Sequence, residues 1–334
     1  MPVLGAAILL AALCFIKPPG GSPADVPIHR SDFLLNTFVD IAIYDSRDES
    51  ILDGAMALCR EYENRFSRTL SGSEVYRLNH REDATGTYPL SDDMTNLLAT
   101  ALYYCERSRG AFDITTEPLS SLWNFSGTSP SVPPAEAIEE ARKKVDYKKL
   151  RLDGTRSTLT FLDPGTSIDL GAIAKGYIAD QLKAYLLDSG VESAMINLGG
   201  NVLCVGSRPD GTPFTVGLQK PFADRNETFA QVEVSDLSVV ASGVYERHFV
   251  EDGKNYHHIL DPSTGYPYDN GLISVTILSE RSVDGDALST TCFSLGLSRG
   301  MELVESMDGV YACFIDEDYQ IHYSDGMEKF LRKD

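Results

Sequence analysis

Asp286 and Thr290 stand four residues apart in DALST, near the start of a segment whose pattern predicts a helix. At that spacing both side chains lie on one face, about one turn or ~5.4 Å apart. A carboxylate and a hydroxyl offering oxygen to one point, with one or two backbone carbonyls, suit magnesium. That ion takes oxygen ligands in near-octahedral geometry and keeps water or phosphate in its remaining positions. The spacing alone equally fits an acidic residue at a helix N-terminus beside a threonine that packs. The blocks SGVYERHF (Ser242 to Phe249) and YHHILDPSTGYP (Tyr256 to Pro267) precede the pair. They concentrate histidine, carboxylate and turn glycine in one stretch. His257 and His258 are adjacent in what reads as an extended segment, so they point to opposite faces and only one faces a pocket. His258 heads a turn built on Asp261, Pro262 and Gly265, where it could move a proton near neutral pH or simply hydrogen-bond the turn.

Three further blocks could hold a ligand. SIDLGAIAKGYIAD (Ser167 to Asp180) runs from a short strand through Gly171 into a helix with Lys175 in its first turn. Free N–H groups at such an entry, with a lysine ammonium nearby, attract phosphate, although a plain strand-to-helix connection reads the same. The GxxxxGK[ST] order is absent, so this is not a P-loop. INLGGNV (Ile196 to Val202) has paired glycines where either a tight turn or a close ligand approach fits. GAFDITTEPLSSLWNF (Gly110 to Phe125) sets Asp113, Thr115 and Glu117 beside Phe112 and the only tryptophan, Trp123. Such rings could hold a planar heterocycle or form core.

The elements that must position these groups are legible in part. Residues 32 to 44 read as paired strands around an Asn-Thr break, and residues 50 to 66 as an amphipathic helix. A short helical turn begins at Ser73, and a longer helix runs from Asp92 to Arg107, capped by Ser91 and ended near Gly110. Ser126 to Pro134 is a surface loop followed by a charged helix, Ala135 to Lys144. Residues 148 to 163 resemble a hairpin turning at Asp153-Gly154, and a helix follows from Ala172 to Ser189. Strands are expected at 193 to 198, 202 to 206, 213 to 218, 228 to 234 and 272 to 279. A helix over Gly285 to Leu297 and a strand over Val310 to Ile315 complete the chain. This irregular mixture predicts an α+β fold, and no linker divides the body.

The chain has 334 residues, 43% of them hydrophobic, enough for a substantial core without staples. Its formal charge of −20, from 49 acidic and 29 basic residues, argues against following a nucleic-acid backbone. A nucleotide ligand would need a divalent cation between itself and so acidic a protein. The six cysteines are widely spaced with no metal-ligand pattern, as small core residues would be. Residues Val3 to Ile16 form an apolar run of the length of an export signal or anchor, though no basic residue precedes it and Cys14 lacks a small residue before it. The expected organisation is an apolar export or anchor segment over 1–16, a Pro- and Gly-rich tether over 17–31, and a folded body over 32–334.

Seven blocks in this order, SGSEVYRLN, GAFDITTEPLSSLW, SIDLGAIAKGYIAD, INLGGNV, SGVYERHF, YHHILDPSTGYP and DALST, resemble the ApbE family of FAD:protein FMN transferases over residues 35 to 330. The resemblance implies a single α+β unit related to the tunnelling fold, with mixed sheets and flanking helices. It implies magnesium-dependent transfer of FMN from FAD to a threonine hydroxyl on an acceptor flavoprotein, with release of AMP, outside the cytoplasm and at a membrane. By position, Asp286, Thr290 and a backbone carbonyl in GAIA, that of Ala172, would ligate magnesium. His258 would sit beside the pyrophosphate and, with Asp286, carry the chemistry. Asp113, Thr115, Asp169, Lys175, Asn197, Gly199 and Gly200 fall in blocks that would line the FAD pocket. Glu117 departs from the glycine many relatives have before the proline. The alternatives are an FAD pyrophosphatase giving FMN and AMP, and a non-catalytic extracytoplasmic flavin-binding protein.

Overall fold

A computed structural model describes residues 26–224 and 227–333. The expected 1–16 segment, including Cys14, and most of the tether lie outside the described residues. Two strands open the fold, β1 (Ile28–Leu34) and β2 (Thr37–Ile43), followed by helices α1 (Glu49–Phe66) and α2 (Glu74–Asn79). Next come β3 (Thr87–Pro89), α3 (Asp92–Arg107), α4 (Glu117–Trp123) and α5 (Ala135–Arg142). The hairpin β4 (Leu150–Asp153) and β5 (Thr158–Phe161) leads to α6 (Ala174–Asp188). Strands then dominate: β6 (Ala194–Leu198), β7 (Asn201–Val205), β8 (Phe214–Gln219), β9 (Thr228–Val234), β10 (Ser238–Gly243), β11 (His248–Glu251), β12 (Lys254–His257) and β13 (Leu272–Ser279). The chain closes with α7 (Ser282–Leu295), α8 (Leu297–Glu305), β14 (Tyr311–Asp316) and β15 (Ile321–Tyr323).

Eight strands form one antiparallel sheet in the order β1-β2-β6-β7-β10-β13-β14-β15. Alternate residues of its strands feed two cores. Ile41, Ile43, Leu203, Ile277 and Phe314 point into a large core shared with α1, α3, α6 and α7. Their neighbours Ala42, Cys204, Leu278 and Cys313 point the other way, against Phe214, Val216 and Val232 of the β8–β9 hairpin. Because both faces are covered, β13 is buried at every position, its Ser274, Thr276 and Ser279 included. A third cluster joins Leu119 and Trp123 of α4, Ile138 of α5 and Leu260. Phe249 and Tyr256 of the β11–β12 hairpin pack against it, which seats that hairpin on α4 and α5. The tryptophan therefore serves as core: its ring is 1% exposed and its Nε1 donates to the Gly265 carbonyl at 2.8 Å.

The α+β expectation holds, and most expected elements form. Ser73 and Ser91 cap α2 and α3 as their spacing predicts, accepting from Tyr76 N and Met94 N. Four expectations shift. Strand β1 begins at Ile28, inside the segment expected to be a tether, because its backbone pairs with β2 as far as Ile43. The β4–β5 hairpin closes at Asp153 opposite Thr158, a wider loop than a two-residue turn. Helix α6 starts two residues later than expected, at Ala174. The helix expected over 285 to 297 starts at Ser282 and breaks at Gly296, whose φ of +78° suits glycine, into α7 and α8. Strands β10, β11, β3 and β15 and helix α4 were not read from the sequence, and β12 only as an extended segment at His257. The cysteines described (59, 105, 204, 292 and 313) are all buried free thiols. Burial pushes the thiols of Cys59, Cys204 and Cys313 up to about 12, so they stay protonated. No described helix is long and apolar enough to cross a membrane.

Candidate active site

Helices α6 and α7 cross at Gly176, and the crossing builds the site. A side chain at Gly176 would collide with the Ser282 backbone: a Cβ there would lie 2.7 Å from the Ser282 carbonyl carbon and from Val283 Cα. The absence of a side chain lets the first turns of the two helices touch. Across that contact the Gly176 N–H donates to Asp286 Oδ2 at 2.9 Å. The other carboxylate oxygen, Oδ1, faces the Lys175 ammonium at 3.3 Å. The Asp286 side chain is 5% exposed and that of Lys175 24% exposed, so this is a largely desolvated charge pair.

Helix α6 begins at Ala174 after its N-cap Ile173, so the Gly176 N–H is one of the first helical N–H groups, which have no acceptor within the helix, and Asp286 supplies one. The Ala172 carbonyl, expected as a ligand, lies just before the helix starts. Beside it, the Gly171 carbonyl accepts from the Lys175 ammonium at 3.4 Å. Asp286 Oδ1 and a backbone carbonyl thus already converge on one cationic group. One turn further along α7, Thr290 is half-buried and its Oγ1 lies 3.2 Å from Ser242 Oγ. Ser242 also bonds Ser289 Oγ at 2.8 Å, and Ser289 in turn donates to the Asp286 carbonyl at 2.9 Å. The electron-pair donors at the crossing, the Asp286 carboxylate, the Thr290 hydroxyl and the Gly171 carbonyl, are all oxygen, and among the described residues no three His, Cys, Asp or Glu side chains gather. One carboxylate with hydroxyl and carbonyl oxygens fits a hard divalent ion that keeps water or phosphate as its other ligands. It does not fit zinc, which prefers nitrogen and sulfur.

The two histidines do face opposite ways. His257 is buried, with Nε2 2.9 Å from the Tyr268 carbonyl, and burial pulls its pKa down to about 4. His258 is only partly covered and follows β12, with its N–H on the Arg247 carbonyl at 3.1 Å and Nδ1 3.3 Å from the same oxygen. Loss of solvation, then the charge of Arg247, pulls the His258 pKa down to about 3, and the Lys175 charge acts in the same direction. The His258 imidazole is neutral at neutral pH.

Of the remaining expected residues, Asp169 joins this centre through the Gly171 turn, Asn197, Gly199 and Gly200 form the β6–β7 turn, and Asp113 and Thr115 lie in the loop after α3. Asp169 Oδ1 accepts the Gly171 N–H at 2.9 Å, and Oδ2 pairs with Arg68 Nε at 3.3 Å. Asp169 therefore shapes the turn that presents the Gly171 and Ala172 carbonyls. Asn197 Oδ1 accepts the Gly200 N–H at 3.1 Å and braces the β6–β7 turn. Both glycines there have positive φ, +66° and +95°, the pattern of a tight type I′ turn. A Cβ at Gly199 would strike Thr37, whereas one at Gly200 would meet open space. Asp113 and Thr115 are buried in a closed network. Asp113 accepts from the Thr115 N–H and hydroxyl at 2.7 and 2.6 Å and from Tyr147 N at 2.9 Å, while Thr115 Oγ1 accepts from Asp146 N at 2.9 Å. Burial raises the Asp113 pKa, and the network shapes the loop after α3. Glu117 lies 3.7 Å from the same Arg68 guanidinium. Ser242, Ser289, Gly176 and Asp180 were not singled out from sequence, although each lies within a quoted block.

The sequence profile of the ApbE family matches residues 35–315. A Klebsiella pneumoniae protein called FAD:protein FMN transferase is 37% identical over 293 residues, covering 87% of this chain and 90% of that one. A Treponema pallidum protein of the same name is 32% identical over 97% of this chain and 94% of its own. Among solved structures, the ApbE protein of Thermotoga maritima superposes with a TM-score of 0.83 at 32% identity, over 92% of this chain and all of that one.

Proposed function

The chain belongs to the ApbE family, and from that premise we propose that it transfers FMN from FAD to a threonine hydroxyl of an acceptor flavoprotein, releasing AMP. The threonine oxygen forms a bond to the phosphorus on the FMN side, the bridging P–O bond breaks, and AMP leaves with the bridging oxygen. The observation that carries the reading is the oxygen cluster at the α6–α7 crossing, where Asp286 Oδ1 and the Gly171 carbonyl converge on the Lys175 ammonium. Asp286, Thr290 and the Ala172 carbonyl would hold magnesium. When bound, the ion supplies positive charge at the pyrophosphate, where negative charge grows as AMP departs.

The chain's own groups account for the rest. Lys175 adds a second positive charge at the mouth of the crossing, in a setting too poorly solvated to screen it strongly. The threonine proton needs an acceptor, and Asp286 has both oxygens engaged by Gly176 and Lys175. His258 is neutral, and if its Nδ1 proton faces the Arg247 carbonyl, Nε2 is left with a lone pair. We assign the proton to that nitrogen. Asp169 and Asn197 hold the two glycine turns, and Asp113 with Thr115 braces the loop after α3. Location outside the cytoplasm, with attachment through the apolar N-terminal run, belongs to the same proposal and rests on the Val3 to Ile16 pattern.

Incubation with FAD, magnesium and a threonine-containing acceptor peptide tests it by mass spectrometry. FMN mass on the threonine is the expected result. Free FMN with no adduct would make the protein an FAD pyrophosphatase, and intact FAD would make it a flavin carrier.

A further inference from the structure

Helix α7 carries both proposed cation ligands from a side chain, yet it has no cap of its own. Its N-cap residue, Arg281, makes no capping side-chain bond. The first N–H groups of a helix need acceptors, and here they come from α6. Asp180 Oδ1 accepts from Ser282 N at 2.7 Å and Oδ2 from Val283 N at 2.9 Å. The contact is reciprocal. Gly176 and Asp180 lie one turn apart on α6, and Ser282 and Asp286 lie one turn apart on α7. Each helix receives a carboxylate from the other: Asp286 takes the Gly176 N–H, and Asp180 takes the N–H groups that begin α7. From the sheet side, Ser282 Oγ donates to Asn201 Oδ1 at 2.7 Å and bonds Ser238 Oγ at 2.9 Å.

We propose that Asp180 is a positioning residue for the divalent-cation site, holding the start of α7 at two points so that Asp286 and Thr290 stand where the cation needs them. The inference rests on the reading that this site holds a divalent ion. A single acceptor would tether α7 but let it turn about the contact; two oxygens on consecutive N–H groups fix its rotation as well. The joint is also costlier than a structural one need be. Burial pushes the Asp180 carboxyl up to about 6 against the N–H groups and Arg281, while Asp284, itself bonded by Tyr104, raises it further. A neutral side chain would cap the helix with less strain, so the paired oxygens serve placement.

The test uses the full chain without FAD and titrates Mn2+ by electron paramagnetic resonance, with thermal melting alongside. Asp180→Asn keeps the shape, removes the buried charge and offers one acceptor oxygen in place of two. The expected result is a Mn2+ affinity about tenfold or more below that of the unaltered protein, with melting within a few degrees. Equal affinity in the two proteins would overturn the inference while leaving the cation site standing. If the unaltered protein binds no Mn2+, the cation reading itself fails, and the inference with it. Asp180→Ser, which leaves the two N–H groups room for water, replaces the Asn variant should that one not fold. Failure of both to fold would make Asp180 a determinant of the fold and overturn the positioning role.

Discussion

Gly176→Ala is the most searching single substitution at the crossing, because two effects of opposite sign compete there. On helix propensity alone, alanine stabilises α6 by about 1 kcal/mol. The new Cβ, however, would lie 2.7 Å from two Ser282–Val283 backbone atoms, so reaching the 3.4 Å of ordinary contact opens the crossing by at least 0.7 Å. Backbone cannot rotate away as a side chain can. Overpacking of this kind costs about 1–3 kcal/mol, and weakening the Gly176–Asp286 bond, a hydrogen bond to a charged group, adds about 1.5–3. The net loss is about 1.5–5 kcal/mol, or ~2–8 °C in melting temperature for a chain of this size. Displacements near 1 Å cost about a hundredfold in a positioned reaction. AMP release from FAD at fixed magnesium should therefore fall about ten- to a hundredfold, with partial recovery at higher magnesium. A Gly176→Ala protein that melts at or above the unaltered temperature and releases AMP at the same rate would refute the tight-crossing argument.

Asp286→Ala should abolish magnesium-dependent AMP release, measured by chromatography of the nucleotide products; retention of full activity would remove Asp286 from the cation site. His258→Ala should slow transfer at least a hundredfold with FAD affinity unchanged by calorimetry, whereas weakened affinity at an unchanged rate would reduce His258 to a binding group. Lys175→Met leaves the Asp286 carboxylate buried without its ammonium, a loss of about 3 kcal/mol. Added magnesium should then raise its melting temperature by more than it raises that of the unaltered protein. Acid should destabilise the fold through His257, whose pKa lies at about 4 when folded against 6.5 when unfolded. The unfolded chain binds a proton that the folded one refuses between those values. This contribution is complete above pH 6.5 and is lost as pH falls toward 4, by up to about 3 kcal/mol. Asp180, raised to about 6, acts in the opposite sense below that pH, so comparison with His257→Gln isolates the histidine. An unchanged pH profile in that variant would contradict the assignment.

What the sequence made legible follows from where each signal is stored. Ser73 and Ser91 cap their own helices, so local spacing was enough to locate α2 and α3. The beginning of α7 was read three residues late because its cap is a carboxylate 102 residues away, on another helix. Helix α4 escaped notice because it is short, has proline in its first turn and no capping side chain. The Asp286–Thr290 spacing pointed to a metal before any fold was known, yet it equally suited a packed helix start. The Gly176 N–H on Asp286 is compatible with either, so the metal reading stays part of the proposal. Trp123 had two readings, and α4, α5 and the hairpin packing decided for core, which single-chain patterning does not contain. Ser242 and Ser289 went unassigned because hydroxyls become informative only when a strand and a helix bring them together.

The bond between Gly176 and Asp286 spans 110 positions of chain. A growing polypeptide that has emerged as far as α6 carries an incomplete helix entry and an ammonium without its counter-ion. On the proposed reading, the seat for magnesium comes into being only after α7 has left the ribosome and met its partner, and until then the nascent chain neither captures the ion nor spends FAD. Stalled translation products ending near residue 270 should be inert toward both, while those extending past α7 should acquire metal dependence in one step.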